Sequence, residues 1–250
     1  ADASGVALGS CVTVLLRVAA FAVTLALPAA AWAGCADVGL VLAIDASGSI
    51  SGLEFETQRQ GYVTALTAQP VTLAFAEAGV VDVAAVFWGD SSYAPQVVPW
   101  QRIEDAGDLH SFSAALLSAP RHVSGDTHMG HGLAAALALF DEPGRCADRR
   151  LIDLSGDGRS TFETGRKPVI SLAAARDLAE RAGVTINALA ITSEDADLPE
   201  WYETNLIVGP FAFVLHVDGL ETFGEAMTRK LMRELMSGEP VLSAPTHRPI

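Results

Sequence analysis

The chain has 250 residues, of which 50% are hydrophobic and 18% are charged, and its formal net charge is −14. This length and apolar content suit one globular domain with a substantial core. A chain this acidic should repel nucleic acid and anionic lipid, so neither is expected as a partner.

The first 33 residues are predicted to be a cleaved secretory signal. Residues 18–33 are almost wholly apolar, follow Arg17 and end in Ala31-Trp32-Ala33, a small-x-small cleavage pattern. This run is short for a membrane span, which needs about 20 residues. We therefore expect a periplasmic or secreted bacterial protein with no membrane span after cleavage. Acylation of Cys35 is the alternative, but Trp32 fits a lipoprotein site badly.

Strand-like and helix-like segments alternate along the rest of the chain. Strands are predicted at residues 38–46, 80–88, 96–102, 150–154, 185–191 and 212–217. Helices are predicted at residues 53–68, 105–117, 130–140, 168–182, 198–204 and 220–236. This order predicts an α/β fold, a doubly wound (Rossmann-like), mostly parallel six-stranded sheet with helices on both faces. The second and third strands can form a hairpin, which makes one edge strand antiparallel. Residues 34–236 form the predicted domain, and residues 237–250, which are rich in proline, a flexible tail.

Oxygen-bearing side chains occupy three loops that should meet at one edge of this sheet. The first strand runs into Asp45-Ala46-Ser47-Gly48-Ser49, and the fourth into Ser155-Gly156-Asp157-Gly158. Thr127 precedes a predicted helix. In doubly wound sheets ligands bind at the carboxyl ends of the strands, where strand order reverses. Carboxylate and hydroxyl oxygens suit a hard divalent cation, and Mg²⁺ takes about six of them. The candidate metal ligands are Asp45, Ser47, Ser49, Thr127 and Asp157.

Two cysteines are predicted to form a disulfide bond. Cys11 lies in the signal, which leaves Cys35 and Cys146 in the exported chain. Cys35 lies ten residues before Asp45, and Cys146 eleven before Asp157. If the two aspartates end neighbouring parallel strands, the two cysteines begin them. Adjacent strands are about 4.8 Å apart, close to the spacing that a disulfide needs.

The order Asp-x-Ser-x-Ser, Gly-Asp-Thr and Ser-Gly-Asp-Gly resembles the metal-ion-dependent adhesion site of von Willebrand factor A domains. The resemblance implies that Ser47, Ser49 and Thr127 bind the cation directly, with Asp45 and Asp157 acting partly through water. It also implies a monomeric, non-enzymatic domain that binds a protein or peptide, whose carboxylate completes the shell of the ion. Mg²⁺ is the expected cation, with Mn²⁺ and Ca²⁺ as alternatives.

A narrower resemblance, from about Cys35 to Met236, is to an exported bacterial branch of unassigned function. It is carried by Cys146-x-x-Arg-Arg-Leu-Ile-Asp-Leu-Ser-Gly-Asp-Gly, by Val98-Pro99-Trp100 and by Gly209-Pro210-Phe211-Ala212-Phe213-Val214. A cysteine often precedes the Gly-Pro segment in that branch, where this chain has Asn205-Leu206-Ile207-Val208, so a second bridge is not expected. This resemblance does not indicate a binding partner.

Four other interpretations stay open. A serine hydrolase would use Ser47 or Ser155 as nucleophile, His128 as base and Asp157 to orient the base. His128 and His131 have a spacing seen in zinc sites, although the pattern favours surface histidines. The Gly48 loop precedes a helix N-terminus and suits phosphate, but it lacks the usual phosphate-binding motifs. A structural envelope protein would leave the metal site unused.

Overall fold

A computed structural model describes residues 34–161 and 170–237. The strands are β1 (Ala36–Asp45), β2 (Val81–Trp88), β3 (Gln96–Ile103), β4 (Ala147–Gly156), β5 (Val184–Ile191) and β6 (Val214–Val217). The helices are α1 (Gly52–Leu66), α2 (Gln69–Glu77), α3 (Ala106–Ser118), α4 (Met129–Phe140), α5 (Leu172–Arg181), α6 (Leu198–Asn205) and α7 (Phe223–Met236). The predicted signal and residues 238–250 of the predicted tail lie outside the described residues.

The six strands form one sheet in the order β3-β2-β1-β4-β5-β6. Only the edge pair β2–β3 is antiparallel among the described strands, as predicted from the short connection between them. Chain order reverses between β1 and β4, which lie side by side in parallel. The fold is therefore the doubly wound α/β sheet that the sequence predicts, and its switch point lies where β1 and β4 end.

The apolar run of β1 is buried on both sides because helices cover both faces of the sheet. Alternate residues of a strand point to opposite faces. Leu40, Leu42 and Ile44 accordingly join one core cluster, with side chains from α1, α2, α3 and α7. Val41 and Ala43 join the other, with side chains from α4, α5 and α6. This double burial explains why the strand reads as nearly continuous hydrophobic sequence.

Local signals place several helix starts. Ser51 and Glu54 form the predicted capping box of α1, with Ser51 Oγ accepting from Glu54 N at 3.2 Å and Glu54 Oε2 accepting from Ser51 N at 2.8 Å. Ser171 caps α5 by accepting from Ala174 N at 3.2 Å. The predicted start of that helix at residue 168 is therefore wrong, because residues 170 and 171 are not helical.

Other predicted boundaries also need correction. The helix α2 was not predicted from the sequence, and its Pro70 lies in the first turn, where proline loses no hydrogen bond. The last strand begins at Val214 rather than residue 212, since regular pairing with β5 starts at Val214 and the Phe213 amide donates to the Asn187 side chain instead. A short 3₁₀ turn, Leu220–Thr222, precedes α7, so the predicted helix 220–236 is regular only from Phe223.

The predicted disulfide joins Cys35 and Cys146, with Cα atoms 4.7 Å apart. Ala36 pairs with Ala147 in the β1–β4 register, so the bond ties the first residues of the two central strands. It therefore lies at the end of the sheet opposite the strand ends that carry Asp45 and Asp157.

A buried network of charged side chains joins α7 to the sheet. Lys230 Nζ lies 2.8 Å from Asp153 Oδ1 and 2.7 Å from Glu234 Oε1, and Asn187 Nδ2 donates to the same glutamate oxygen at 2.9 Å. All four side chains are buried. Burial and the nearby Asp153 raise the pKa of Glu234 to about 8. Protonation of Glu234 would leave one ammonium and one carboxylate in the apolar interior, the balanced pair that burial favours.

We expect this network to make the protein less stable as pH rises from about 5 to about 8. The pKa of Glu234 in the folded state lies above its ordinary value of 4.5, so unfolding releases a proton in this range. The contribution is complete below the ordinary value and is lost as pH passes through about 8. Urea unfolding of the wild type and Glu234→Gln in metal-free buffer would measure it. The variant should lose less stability over this range, and parallel curves for the two proteins would contradict the assignment.

Candidate metal centre

The loop after β1 folds back on the carboxylate that ends the strand. Ser47 N donates to Asp45 Oδ1 at 2.8 Å, a turn that aspartate readily forms with the amide two residues later. Asp45 and Ser47 are fully buried, whereas Ser49 is exposed at the rim. Ser47 Oγ and Ser49 Oγ lie 3.3 Å apart, so both hydroxyls face the same space.

The other two loops complete a continuous set of oxygens. Thr127 Oγ1 donates to Ser47 Oγ at 3.2 Å, and Ser49 Oγ donates to Asp157 Oδ1 at 2.9 Å. The chain of contacts therefore runs from Thr127 through both serines to Asp157, and Asp45 joins it through the Ser47 amide. The structure thus brings together the five side chains predicted as metal ligands.

The charges of this cluster are poorly balanced by the protein alone. Burial first, and the neighbouring Asp157 second, raise the pKa of Asp45 to about 7. Burial also raises the pKa of Asp157. Asp45 Oδ2 is buried without a hydrogen-bond partner, and such an atom carries the full cost of its lost hydration. A divalent cation would supply the missing partner and favour the ionised carboxylates, so the residues fit such an ion.

Arg121 holds the β1 loop, and sequence reasoning missed it. Its Nη2 lies 3.0 Å from the carbonyl oxygen of Ala46, 2.7 Å from that of Ser47 and 2.7 Å from that of Ile50. Arg121 also lowers the pKa of Asp45, against the larger effect of burial. No local pattern marks this residue, because its partners lie more than 70 positions earlier in the chain.

We expect Arg121→Gln to weaken Mg²⁺ binding about tenfold, because the β1 loop loses charge-assisted hydrogen bonds of about 1.5–3 kcal/mol. Calorimetric titration would measure the change. Arg176→Gln is the matched control, since Arg176 Nε also donates to a carbonyl oxygen, that of Ile207, away from the cluster. Equal affinities of the two variants would show that Arg121 does not position the loop.

Gly156 allows β4 to pass close to Asp45. A Cβ atom at this position would lie 3.0 Å from Asp45 Oδ2 and 2.8 Å from the hydroxyl of Tyr202. Tyr202 in turn donates to the carbonyl oxygen of Gly158 at 3.0 Å, which fixes the loop that carries Asp157. Gly156 therefore serves close packing of the strand ends, whereas a Cβ atom at Gly158 would meet only Thr127 Oγ1, at 4.0 Å.

The expectation that His128 is a surface residue is wrong, since its exposure is 3%. Its Nδ1 lies 2.9 Å from both Ser91 N and Ser91 Oγ. His131 does not join it, because His131 Nε2 instead contacts the carbonyl oxygen of Tyr93 at 3.3 Å. The two histidines therefore do not form the zinc pair that their spacing suggested.

The residues that the hydrolase interpretation requires make other contacts in the structure. Ser155 Oγ is buried and accepts from Gln58 Nε2 at 3.0 Å and from the Tyr62 hydroxyl at 2.9 Å. Ser47 Oγ contacts Ser49 and Thr127, and the serine beside His128 Nδ1 is Ser91. The described contacts do not support a serine–histidine pair of the predicted kind.

Solved structures with the same fold include two pilus proteins and a mussel byssus protein. The pilus adhesin SpaC from Lactobacillus rhamnosus GG, in its open conformation, is 17% identical with a TM-score of 0.57, over 80% of this chain and 30% of SpaC. Proximal thread matrix protein 1 of the mussel byssus was solved with zinc in its MIDAS motif, the metal-ion-dependent adhesion site. It is 15% identical with a TM-score of 0.54, over 80% of this chain and 46% of that protein.

The vWF domain of the type V pili tip protein Mfa5 from Porphyromonas gingivalis is 14% identical with a TM-score of 0.53, over 83% of this chain and 99% of that domain. The chain thus spans about a third of SpaC and about half of the byssus protein. At these identities the comparisons show the fold, which is that of von Willebrand factor A domains.

A comparison with curated protein sequences finds no match. Within residues 34–161 and 170–237, no helix is long and apolar enough to cross a membrane. A family described as a protein of unknown function, DUF1194, matches residues 34–239. This match covers most of the chain, which therefore belongs to the DUF1194 family and has the von Willebrand factor A fold.

Proposed function

We propose that this protein is an exported domain that binds a protein partner through a divalent cation. Ser47, Ser49 and Thr127 would bind the cation directly, with Asp45 and Asp157 acting partly through water. The observation that carries the proposal is the buried Asp45 Oδ2, which lacks a partner at the point where the three loops meet. Mg²⁺ is the favoured ion because every donor is a hard oxygen, and Mn²⁺ and Ca²⁺ are the alternatives.

The role of the cation in this proposal is to offer a position for an acidic group of the partner. Bound Mg²⁺ is a Lewis acid that accepts an oxygen donor. The three side chains proposed to bind directly are neutral hydroxyls, and the two carboxylates act partly through water, so the ion keeps much of its Lewis acidity. It would then favour a carboxylate from a protein or peptide as a further ligand. We propose no covalent chemistry, and the described contacts of Ser155 and His128 support binding over hydrolysis.

The rim of the site indicates what else the partner should carry. Glu194 and Glu54 are close enough to Asp157 to raise its pKa further, after the larger effect of burial. Together with the net charge of −14, these carboxylates repel a partner in which the acidic group is surrounded by other acidic residues. We propose that the coordinating carboxylate of the partner is flanked by basic residues.

Export is supported by the predicted signal, by the disulfide and by the kinds of protein that share the fold. Disulfides persist in oxidising compartments such as the periplasm and the exterior. The structural neighbours are a pilus adhesin, a byssus matrix protein and a pilus tip protein. We propose a periplasmic or secreted monomer with an adhesion-type role.

Calorimetric titration with Mg²⁺, Mn²⁺ and Ca²⁺ tests the metal step directly. We expect one equivalent to bind the wild type and Ser49→Ala to weaken binding. Ser51→Ala is the matched control, because this neighbouring serine caps α1 and lies outside the oxygen cluster. Absence of binding by all three ions would overturn the proposal and favour a structural protein that does not use the site.

Capture from an envelope extract tests the partner step. A protein retained in Mg²⁺ should be released by EDTA and should not bind the Asp45→Asn variant. Retention that resists EDTA would show that binding does not depend on the cation.

A further inference from the structure

A second group of potential metal ligands lies beside the oxygen cluster and shares none of its side chains. Asp90 follows β2, whereas Asp126 and His128 belong to the segment that precedes α4. One potential ligand atom from each residue lies within 4.8 Å of those of the other two. The sequence does not suggest this group, because Asp90 is more than 30 positions from the other two residues.

The buried imidazole of His128 is an independent sign of a ligand. Its Nε2 is buried without a hydrogen-bond partner, although the whole residue is only 3% exposed. Asp126 Oδ2 lies 3.9 Å from Nε2, which is too far for a hydrogen bond. A polar atom left unsatisfied in this way is costly, so a group that bridges the imidazole and the carboxylate would stabilise both.

The other two side chains stand on a closely packed pair of loops. Asp90 Oδ1 accepts from Ser92 N at 2.7 Å and from Ser92 Oγ at 2.6 Å, which fixes the carboxylate. Asp90 N donates to the carbonyl oxygen of Ser124 at 3.0 Å. Gly125, with a φ of +80°, allows this approach, because a Cβ atom there would lie 2.7 Å from Asp90 Cβ. The Asp90 carboxylate is therefore positioned before any ligand binds.

Ser91 can set the imidazole tautomer that metal binding requires. Ser91 N donates to Nδ1 at 2.9 Å, so in the metal-free protein the imidazole proton lies on Nε2, a buried N–H without an acceptor. Binding of a metal at Nε2 requires this proton to move to Nδ1, where Ser91 Oγ at 2.9 Å can accept its hydrogen bond, and the Ser91 amide then gives up its bond to Nδ1.

We propose that Asp90, Asp126 and His128 bind a second divalent cation, of the zinc and cobalt class. One imidazole nitrogen with two carboxylates suits these borderline metals, whereas Mg²⁺ prefers oxygen ligands alone. Three protein ligands leave a coordination position for water. Asp126 and His128 flank Thr127, so this cation would also fix both neighbours of a residue in the oxygen cluster.

Titration of the full chain with Co²⁺ in saturating Mg²⁺ tests the proposal, since Mg²⁺ occupies the oxygen cluster and Co²⁺ reports its ligands by absorption. We expect one Co²⁺ to bind the wild type, and at least about tenfold weaker binding by Asp126→Asn and His128→Gln. Asp126→Asn changes an exposed side chain and should fold normally. His131→Gln is the matched control and should bind Co²⁺ like the wild type.

A second titration, of the Asp45→Asn variant, tests this site independently of the oxygen cluster. Asp45→Asn should lose Mg²⁺ binding and still bind one Co²⁺, so failure of the first metal site leaves the second testable. The proposal is overturned if the wild type binds no Co²⁺ in saturating Mg²⁺. It is equally overturned if Asp126→Asn binds Co²⁺ as tightly as His131→Gln.

Discussion

Asp45→Asn is expected to abolish the stabilisation by Mg²⁺ while making the metal-free protein at least as stable as the wild type. In the wild type the Asp45 carboxylate is buried, and one of its oxygens has no hydrogen-bond partner. Burial and the charge of Asp157 raise its pKa. Asparagine keeps an acceptor for the Ser47 amide and removes the charge that repels Asp157. Without that charge the hydroxyls and the single carboxylate of Asp157 would hold a cation poorly.

Thermal unfolding with and without Mg²⁺ would measure both effects. At a Mg²⁺ concentration about 100 times its dissociation constant, the wild type should gain about 2.7 kcal/mol and the variant almost nothing. Asp37→Asn is the matched control, because Asp37 lies near the start of the same strand and accepts from Val80 N at 2.6 Å. If Asp45→Asn gained as much stability from Mg²⁺ as Asp37→Asn does, Asp45 would have no part in binding the ion.

Removal of the disulfide is expected to cost about 4 kcal/mol of unfolding free energy. Cys35 and Cys146 are 111 positions apart, so the bond restricts a long loop in the unfolded chain. Urea unfolding of the Cys35→Ser, Cys146→Ser double variant would measure the loss. Reduction of the wild type should give a similar loss of unfolding free energy. This would show that the loss comes from the missing disulfide and not from the introduced serines.

The same variant should bind Mg²⁺ with nearly unchanged affinity when folded. The disulfide and the oxygen cluster lie at opposite ends of β1, which at about 3.3 Å per residue are about 30 Å apart. Pairing from Val38 to Ile44 holds β1 and β4 in register between them. A loss of metal affinity much greater than the loss of stability explains would show that the bond influences the site at a distance.

The proposed metal site was predictable from sequence because its residues follow strands whose order the chain itself indicates. Asp45 and Asp157 each come directly after an apolar run, and parallel strands bring such residues to one edge. The same reasoning placed Cys35 beside Cys146 at the other end. Both predictions depended only on the period and order of the elements.

Other residues were missed because their roles depend on contacts between distant loops. Arg121 has no nearby pattern to mark it, yet it contacts carbonyl oxygens of the β1 loop. His128 was interpreted as a surface histidine because the sequence shows no third nitrogen or sulfur ligand near it and His131. Its burial results from the approach of the loop that carries Asp90 and Ser91.

The amino-acid sequence by itself determined the α/β sheet, the antiparallel edge, the disulfide pairing and the side chains that gather around Asp45. These features follow from hydrophobic period, chain order and cysteine position, which are local properties or simple consequences of parallel pairing. The tertiary structure alone decided that Asp45 Oδ2 lacks a partner, that Arg121 braces the loop and that His128 faces Asp126. The reason is physical: desolvation and hydrogen-bond satisfaction depend on which loops pack together, and that packing has no period in the sequence.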